Sequence, residues 1–489
     1  MKFNKSMKFF IILSLLALLL TSLLFYGCKK GESKIEESSE SEGEKSMDEF
    51  EWFQTGNDMA ITKIRTRRSE ELEDNLISDM YTLCQKAPST TEENPEDFAG
   101  RINEAGLKRM RISLDFFDWC EVEEFSGPYS KHYIYPDQDK AITSLVKNGI
   151  KPIYALVFWD EEIKDGTSVD YSRFKTEEEI QRYLDYAQFI VHNLKDKIEY
   201  YEILNEPNLA EGNQQDVKVD DYINLVRRTV PVIREEYPEA KIVVGAVTPL
   251  VDSNSYDYLL DILNSEIMPL VDGISWHVGA FSLEYEDWRE YCINYPSIVQ
   301  EIKEIASANG FTGEYMANEL QWRTLDRTNP DEPWTYTDIV AAKYLARGIV
   351  ANLGMGASAG LAECLECDYK VNVIRNLCTL MAGAEPIYLS IEVQSEETNI
   401  INYSFSLPNG DILTAVWTDG IAVDEDAGVK AELTIRNFTG QDVTGIDVLE
   451  GYKQDIITSD SDENLIIQNL VVRDYPLIIY IAKSGQEIL

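Results

Sequence analysis

Two glutamates stand where apolar runs end. In "YYEILNEPN" (200–208) a strand-like run stops at Asn205 and Glu206, and Pro207, which has no amide hydrogen, prevents further pairing. In "EYMANEL" (314–320) a second run closes with Glu319. Two carboxyl groups at one pocket can share acid/base and nucleophilic work: one protonates a departing oxygen while the other attacks the carbon it leaves. Held about 5–5.5 Å apart, such a pair can break a glycosidic bond with retention of configuration. Taken singly, a strand-terminal Glu is more often solvated or salt-bridged. The case therefore rests on what would bring these two together.

The elements that must position them are legible as a repeat. From about residue 75 to 385, short apolar runs alternate with longer amphipathic ones. Six runs read as strands: "LKRMRISLD" (107–115), "IKPIYALVFW" (150–159), "KIEYYEILNE" (197–206), "KIVVGAVTP" (241–249), "DGISWHV" (272–278) and "EYMANEL" (314–320). Weaker candidates at 76–81 and 357–363 bring the count to eight. Starts recur roughly every thirty to fifty residues, the period of a strand-loop-helix unit in a parallel sheet. Between strands, Thr176 and Glu179 form a capping box ahead of an apolar face of Ile180, Tyr183, Leu184, Ala187 and Val191. Ile223, Val226, Val230 and Ile233 repeat the helical spacing, and the helices before Leu107 and Ile150 each stop at a glycine.

The expected fold class is α/β, a (β/α)8 TIM barrel, with Glu206 closing strand four and Glu319 closing strand seven. Active sites of such barrels lie at that end of the strands. A doubly wound open sheet is the alternative, but no G-x-G-x-x-G or phosphate loop follows any strand. After Pro386 the helical period disappears. "INYSFSLPNGDILTAVWTDG" reads as a hairpin around Pro408-Asn409-Gly410, and further short strands follow to the C-terminus. This predicts a smaller C-terminal all-β sandwich.

"NEPN" after the fourth strand and a Glu closing the seventh resemble clan A of the glycoside hydrolases, retaining enzymes built on (β/α)8 barrels. "YEILNEPN", the helix "AAKYLARGIVANLGMG" and the ending "NLVVRDYPLIIYIA" are most similar to glycoside hydrolase family 39, the β-xylosidase and iduronidase family. The resemblance covers about residues 95 to 485. It implies that Glu206 is the acid/base, that Glu319 is the nucleophile and that Asn205 binds the sugar 2-OH. Arg111 matches the clan's strand-two arginine beside the nucleophile, and His277 matches the histidine ending strand six. The chain departs from the clan at Gly279, where a tyrosine often follows that histidine, and in "AGLAECLE", which lacks the usual strand-eight aromatic. Trp159 and Trp322, just past strands three and seven, are candidates for stacking on sugar faces. Trp276 should point into the layer between barrel and helices. Two carboxyls suffice for this chemistry, so no metal and no organic cofactor is expected.

The rest of the composition bounds partners and location. Acidic residues outnumber basic ones 86 to 44 over 489 residues, a net charge of −42, which repels phosphate backbones and argues against nucleic acid. Lys2, Lys5 and Lys8 precede an apolar run from Phe9 to Tyr26 that ends at Gly27-Cys28. That is an export signal, and the cysteine resembles a bacterial lipoprotein lipidation site. An uncleaved signal anchor is the alternative, since the run approaches the length that spans a bilayer. Either places the remainder outside the cytoplasm, at the bacterial cell surface, with the membrane met only through the anchor. Residues 29–55 are a Glu- and Ser-rich tether, 56–385 the barrel and 386–489 the sandwich. Cys84, Cys120, Cys292, Cys364, Cys367 and Cys378 read as buried or disulfide-bonded; Cys364-Leu-Glu-Cys367 lacks a second pair for zinc.

The resulting expectation is a retaining glycoside hydrolase acting on a β-linked oligo- or polysaccharide. The rivals are a glycan-binding surface lipoprotein without turnover and an endo-acting glucanase or mannanase of another clan A family.

Overall fold

A computed structural model describes residues 52–54, 60–63, 75–78, 95–113, 121–122, 132–134, 136–158, 173–209, 216–279, 286–324, 335–396, 399–438, 442–461 and 463–482. Eight parallel strands close a barrel: β1 (Leu76–Ser78), β2 (Arg109–Ser113), β3 (Lys151–Leu156), β4 (Tyr200–Ile203), β5 (Lys241–Val247), β6 (Gly273–Gly279), β7 (Glu314–Leu320) and β8 (Ser358–Leu361). A helix follows each: α1 (Pro95–Glu104), α2 (Pro136–Lys147), α3 (Glu177–Leu194), α4 (Val219–Glu236), α5 (Ser253–Leu263), α6 (Glu286–Ala308), α7 (Asp338–Gly354) and α8 (Asp368–Met381). All eight expected strands are present in the expected order, and the open-sheet alternative is excluded by the pairing of β8 with β1. The Thr176 cap forms, its hydroxyl accepting from the Glu179 amide.

Alternation along each strand decides what fills the barrel. Ile77, Ile153, Val243 and Met316, from the four odd-numbered strands, form one apolar layer across its interior. The even strands place charge there instead. Arg111 and Glu202 are fully buried and joined at 2.6 Å, and the Ser275 hydroxyl donates to the same glutamate at 2.6 Å. At the N-terminal end of the strands, Glu314 accepts from Arg109 at 3.0 Å and from the Tyr200 hydroxyl at 2.6 Å. Outside the strands lies the main apolar core. There Trp276 donates to the Tyr295 hydroxyl, which donates in turn to Asn352 of α7, so Trp276 sits in the layer the strand alternation predicted.

The C-terminal sandwich has two antiparallel sheets. The first includes Ile400–Ser406, Ile412–Thr418, Leu477–Ala482 and Asp442–Asp447. It also takes in Trp52–Gln54 and Ala60–Lys63 through Tyr452–Asp455, so these residues run with the sandwich and the barrel itself begins at Leu76. The second holds Ile391–Ser395, Val429–Ile435, Asn464–Val472 and Ile457–Ser461. Val416, Ile479 and Ile481 face Leu433, Ile467 and Val472 between the sheets. The alternate residues Leu413, Ala415, Ile478 and Tyr480 join the core that the barrel helices build. One sheet, apolar on both faces, thus serves two cores.

Charge secures that junction. Lys343 of α7 pairs with Asp474 at 2.8 Å, both side chains almost wholly buried, and Arg347 one turn later donates to the carbonyls of Asp474 and Gly420. Removing one partner of a buried pair costs about 3–5 kcal/mol because the other charge is left desolvated. Lys343→Met should therefore lower the urea midpoint of unfolding by a corresponding amount. The double variant Lys343→Met/Asp474→Asn should recover part of the loss, since it removes the stranded charge.

Candidate active site

The site forms at the C-terminal ends of β2, β4, β6 and β7. Backbone conformation does much of the positioning. Leu204, Glu206, Ala246 and Glu319 all have left-handed φ values, 63°, 46°, 43° and 54°, which non-glycine residues adopt at a cost of about 1–3 kcal/mol each. In a regular strand, consecutive side chains point to opposite faces. Here Asn205 and Glu206 both reach the mouth, and of the pair ending β7 Glu319 does so while Asn318 turns into the barrel toward Glu202. The Glu206 amide donates to the Ala246 carbonyl at 2.8 Å, so two left-handed residues hold each other in place.

Arg111 is the hub. Its Nε donates to Glu202 Oε2 at 2.6 Å, Nη1 to Glu319 Oε1 at 3.0 Å and Nη2 to Asn205 Oδ1 at 2.6 Å. Glu202 is held from its other oxygen by Ser275 and by Asn318 Nδ2 at 3.2 Å. A buried cation against Glu319 favours its ionised form, while Glu202 balances the rest of the arginine's charge. With its carbonyl oxygen taken by Arg111, Asn205 has its amide N–H groups to offer a ligand.

His277 completes the group. Its Nδ1 lies 3.1 Å from Glu206 Oε1 and 3.2 Å from Glu319 Oε2. One oxygen of each acid and a ring nitrogen of His277 all lie within 4.8 Å of one another. Burial alone would disfavour the imidazolium, but the charge of Glu319 and the hydrogen bond and charge of Glu206 outweigh it. The His277 pKa is raised above its ordinary value despite an opposing push from Arg111. Three such ligands could also hold a metal ion. Arg111 already sets a full positive charge against Glu319, however, and Nδ1 already bridges both acids, so the arrangement is better suited to sharing a proton.

Five residues singled out in the sequence, Arg111, Asn205, Glu206, His277 and Glu319, come together here. Trp322 does not join them. It is 1% exposed, and a side chain added at Gly348 of α7 would meet its ring at 2.3 Å, so it belongs to the layer between β7 and α7 and has no face for a sugar. Trp159 and Cys28 lie outside the described residues, as do Cys84 and Cys120. Cys292, Cys364 and Cys378 are buried as expected, whereas Cys367 is half-buried and not disulfide-bonded, against the expectation. The missing strand-six tyrosine has a physical reason. Gly279 has φ +72°, and a Cβ there would lie 2.8 Å from the Trp288 ring and 3.0 Å from Pro249.

Sequence reasoning missed Glu202, Ser275 and Asn318. Glu202 did leave a signal: an acid inside an apolar strand needs a buried partner, and Arg111 is one. Ser275 and Asn318 leave no comparable trace, because either is ordinary in a strand.

Known proteins provide independent comparisons. A family model described as Glycosyl hydrolase family 1 matches residues 135–216, a window that holds Asn205 and Glu206 but not Glu319. A furostanol glycoside 26-O-beta-glucosidase from Hellenia speciosa is 26% identical over 106 residues, which span 22% of this chain and 18% of that protein. A family 39 glycoside hydrolase from the gut symbiont Bacteroides cellulosilyticus WH2 superposes with a TM-score of 0.59 at 14% identity, covering 84% of this chain and 82% of that one. A monomeric beta-xylosidase from Caulobacter crescentus CB15 gives 0.52 at 14% identity, covering 84% and 96%. A family 51 arabinofuranosidase from Xanthomonas axonopodis pv. citri gives 0.54 at 10%, covering 79% and 89%. At these identities the likeness is one of fold, a (β/α)8 barrel that all three share with this chain.

Proposed function

We propose that this chain is a retaining glycoside hydrolase of clan A that cleaves β-linked glycans or oligosaccharides. The observation that carries the proposal is the convergence of Glu206 and Glu319, from the ends of β4 and β7, on a single imidazole nitrogen. Their closeness suits the short carboxyl separation of retaining enzymes, about 5–5.5 Å, rather than the about 6.5–9.5 Å that leaves room for a water in inverting ones. The motifs shared with family 39, together with the sandwich after the barrel, support a place near that family.

The roles follow from the surroundings. Glu206, partly exposed at the mouth, protonates the glycosidic oxygen as the bond to the anomeric carbon breaks. Glu319, held as an anion by Arg111, attacks that carbon from the opposite side and forms a glycosyl ester. Glu206, now a carboxylate, takes a proton from water, which attacks the same carbon and frees Glu319. The amide of Asn205 donates toward the sugar 2-OH, a contact that tightens as charge develops on the ring. The lipoprotein-type signal supports export and anchoring at the cell surface through Cys28. Retention of the mature chain in the membrane fraction, lost in Cys28→Ser, is the corresponding test.

The activity test is a panel of aryl β-glycosides (xyloside, glucoside, galactoside, mannoside and arabinoside), followed by polymeric β-glycans. Turnover of at least one is expected. Glycan binding with no turnover anywhere on the panel would favour a non-catalytic surface lipoprotein.

A further inference from the structure

Of the two acids, Glu206 is the less firmly held through its side chain. Glu319 meets both Arg111 and His277, whereas the carboxyl group of Glu206 has His277 as its one side-chain partner among the described residues. The aim of Glu206 therefore depends on the backbone that carries it. That backbone has φ 46°, a conformation that a non-glycine residue keeps only where its surroundings impose it. Residues 206–209 form a tight turn, with the Leu209 amide donating to the Glu206 carbonyl at 3.0 Å.

Asn208 fastens that turn to the chain leaving β5. Its Oδ1 accepts from the Thr248 amide at 3.1 Å, which fixes which end of the side-chain amide is oxygen. Its Nδ2 donates to Thr248 Oγ1 at 2.6 Å and to Ser255 Oγ, in the first turn of α5, at 3.1 Å. The two hydroxyls lie 2.6 Å apart and close a ring of three side chains, of which Ser255 is buried. Both amide hydrogens are spent, so Asn208, unlike Asn205, keeps no donor for a sugar. The ends of β4 and β5 are joined a second time where the Glu206 amide donates to the Ala246 carbonyl at 2.8 Å.

We infer that Asn208 is a positioning residue: by clasping the turn after β4 to the end of β5, it holds Glu206 in its left-handed conformation and aims the carboxyl group at the departing oxygen. This rests on the glycosidase reading above. A misplacement of about 1 Å can cost on the order of a hundredfold in rate, and without the clasp the turn keeps only Pro207 and its backbone contacts. No member of the clasp is on β7. The loss should therefore fall on the steps that use Glu206 and spare the attack by Glu319.

The test is Asn208→Ala, assayed with an alkyl glycoside and a 2,4-dinitrophenyl glycoside. With the alkyl glycoside, whose leaving oxygen needs a proton, kcat/KM should fall by about 10- to 100-fold. With the dinitrophenyl glycoside, which leaves unaided, kcat/KM should stay within about threefold of wild type. There kcat and KM should fall together, because water is poorly activated and the glycosyl enzyme accumulates, and azide should restore kcat with a product of retained configuration. Ser255→Ala removes one acceptor of Nδ2 and leaves the rest of the clasp. It should repeat the pattern more weakly, with a loss of about three- to tenfold on the alkyl glycoside, and it decides the matter should Asn208→Ala not fold. Equal losses with both glycosides would overturn the inference and make Asn208 a structural residue. A raised KM with kcat unchanged would overturn it in favour of a sugar contact, and unchanged activity on the alkyl glycoside would overturn it outright. Inactivity of the wild type on every glycoside would instead sink the glycosidase reading beneath it.

Discussion

Glu319→Ala is expected to lower kcat/KM for an aryl β-glycoside by on the order of 10⁴–10⁶, about 5.5–8 kcal/mol of transition-state stabilisation. The loss should fall on kcat even with the best leaving groups, because without this carboxylate no glycosyl ester forms, however readily the aglycone departs. Arg111 would lose the anion at 3.0 Å but keep Glu202 at 2.6 Å and Asn205, so the site should stay assembled. Azide can enter the space left by the side chain and attack the anomeric carbon from the face Glu319 occupied. The rescued product should be a glycosyl azide of inverted, α configuration. Activity within tenfold of wild type would remove Glu319 from the mechanism.

Glu206→Ala should behave differently. Loss of a general acid typically costs about 10²–10⁴ in rate, and the cost depends on how much the leaving oxygen needs a proton. Alkyl glycosides should therefore lose the full factor. A dinitrophenyl glycoside should still form the glycosyl enzyme, which then accumulates because no base activates water. A burst of dinitrophenol followed by slow turnover is the expected trace. Azide should speed that turnover and give a product of retained, β configuration. The opposite configurations expected from the two variants distinguish the roles of acids whose oxygens lie so close together. Equal losses with both leaving groups, and no burst, would mean that Glu206 is not the acid.

Much of this was legible in the sequence because a barrel strand is a short apolar run with a fixed exit. "KIVVGAV" and "DGISWHV" give themselves away as strands, and Pro207 marks where β4 leaves the sheet. Glu206 and Glu319 could be placed because each ends such a run. What escaped was the polar layer below them. Glu202 occupies a position that alternation turns inward, yet its meaning depends on Arg111, Ser275 and Asn318, which come from three other strands. No local pattern encodes a contact between residues 116 apart, such as Asn318 and Glu202.

Trp322 shows the reverse problem. Its position just past β7 suggested the mouth, but Gly348 on the following helix opens a slot that draws the ring into the apolar layer. A long-range fit between one glycine and one indole decided the matter. The strands Trp52–Gln54 and Ala60–Lys63 likewise belong with the sandwich through pairing to Tyr452–Asp455, almost four hundred residues later.

The most direct test of the central claim, that Glu206 and Glu319 act together by double displacement, is the configuration of the sugar first released. Hydrolysis of an active aryl β-glycoside can be followed by proton NMR of the anomeric signals, quickly enough to precede mutarotation. The account predicts that the β-anomer appears first and the α-anomer only later, by spontaneous equilibration. Initial release of the α-anomer would mean a single displacement by water, and would contradict the assignment of Glu319 as nucleophile.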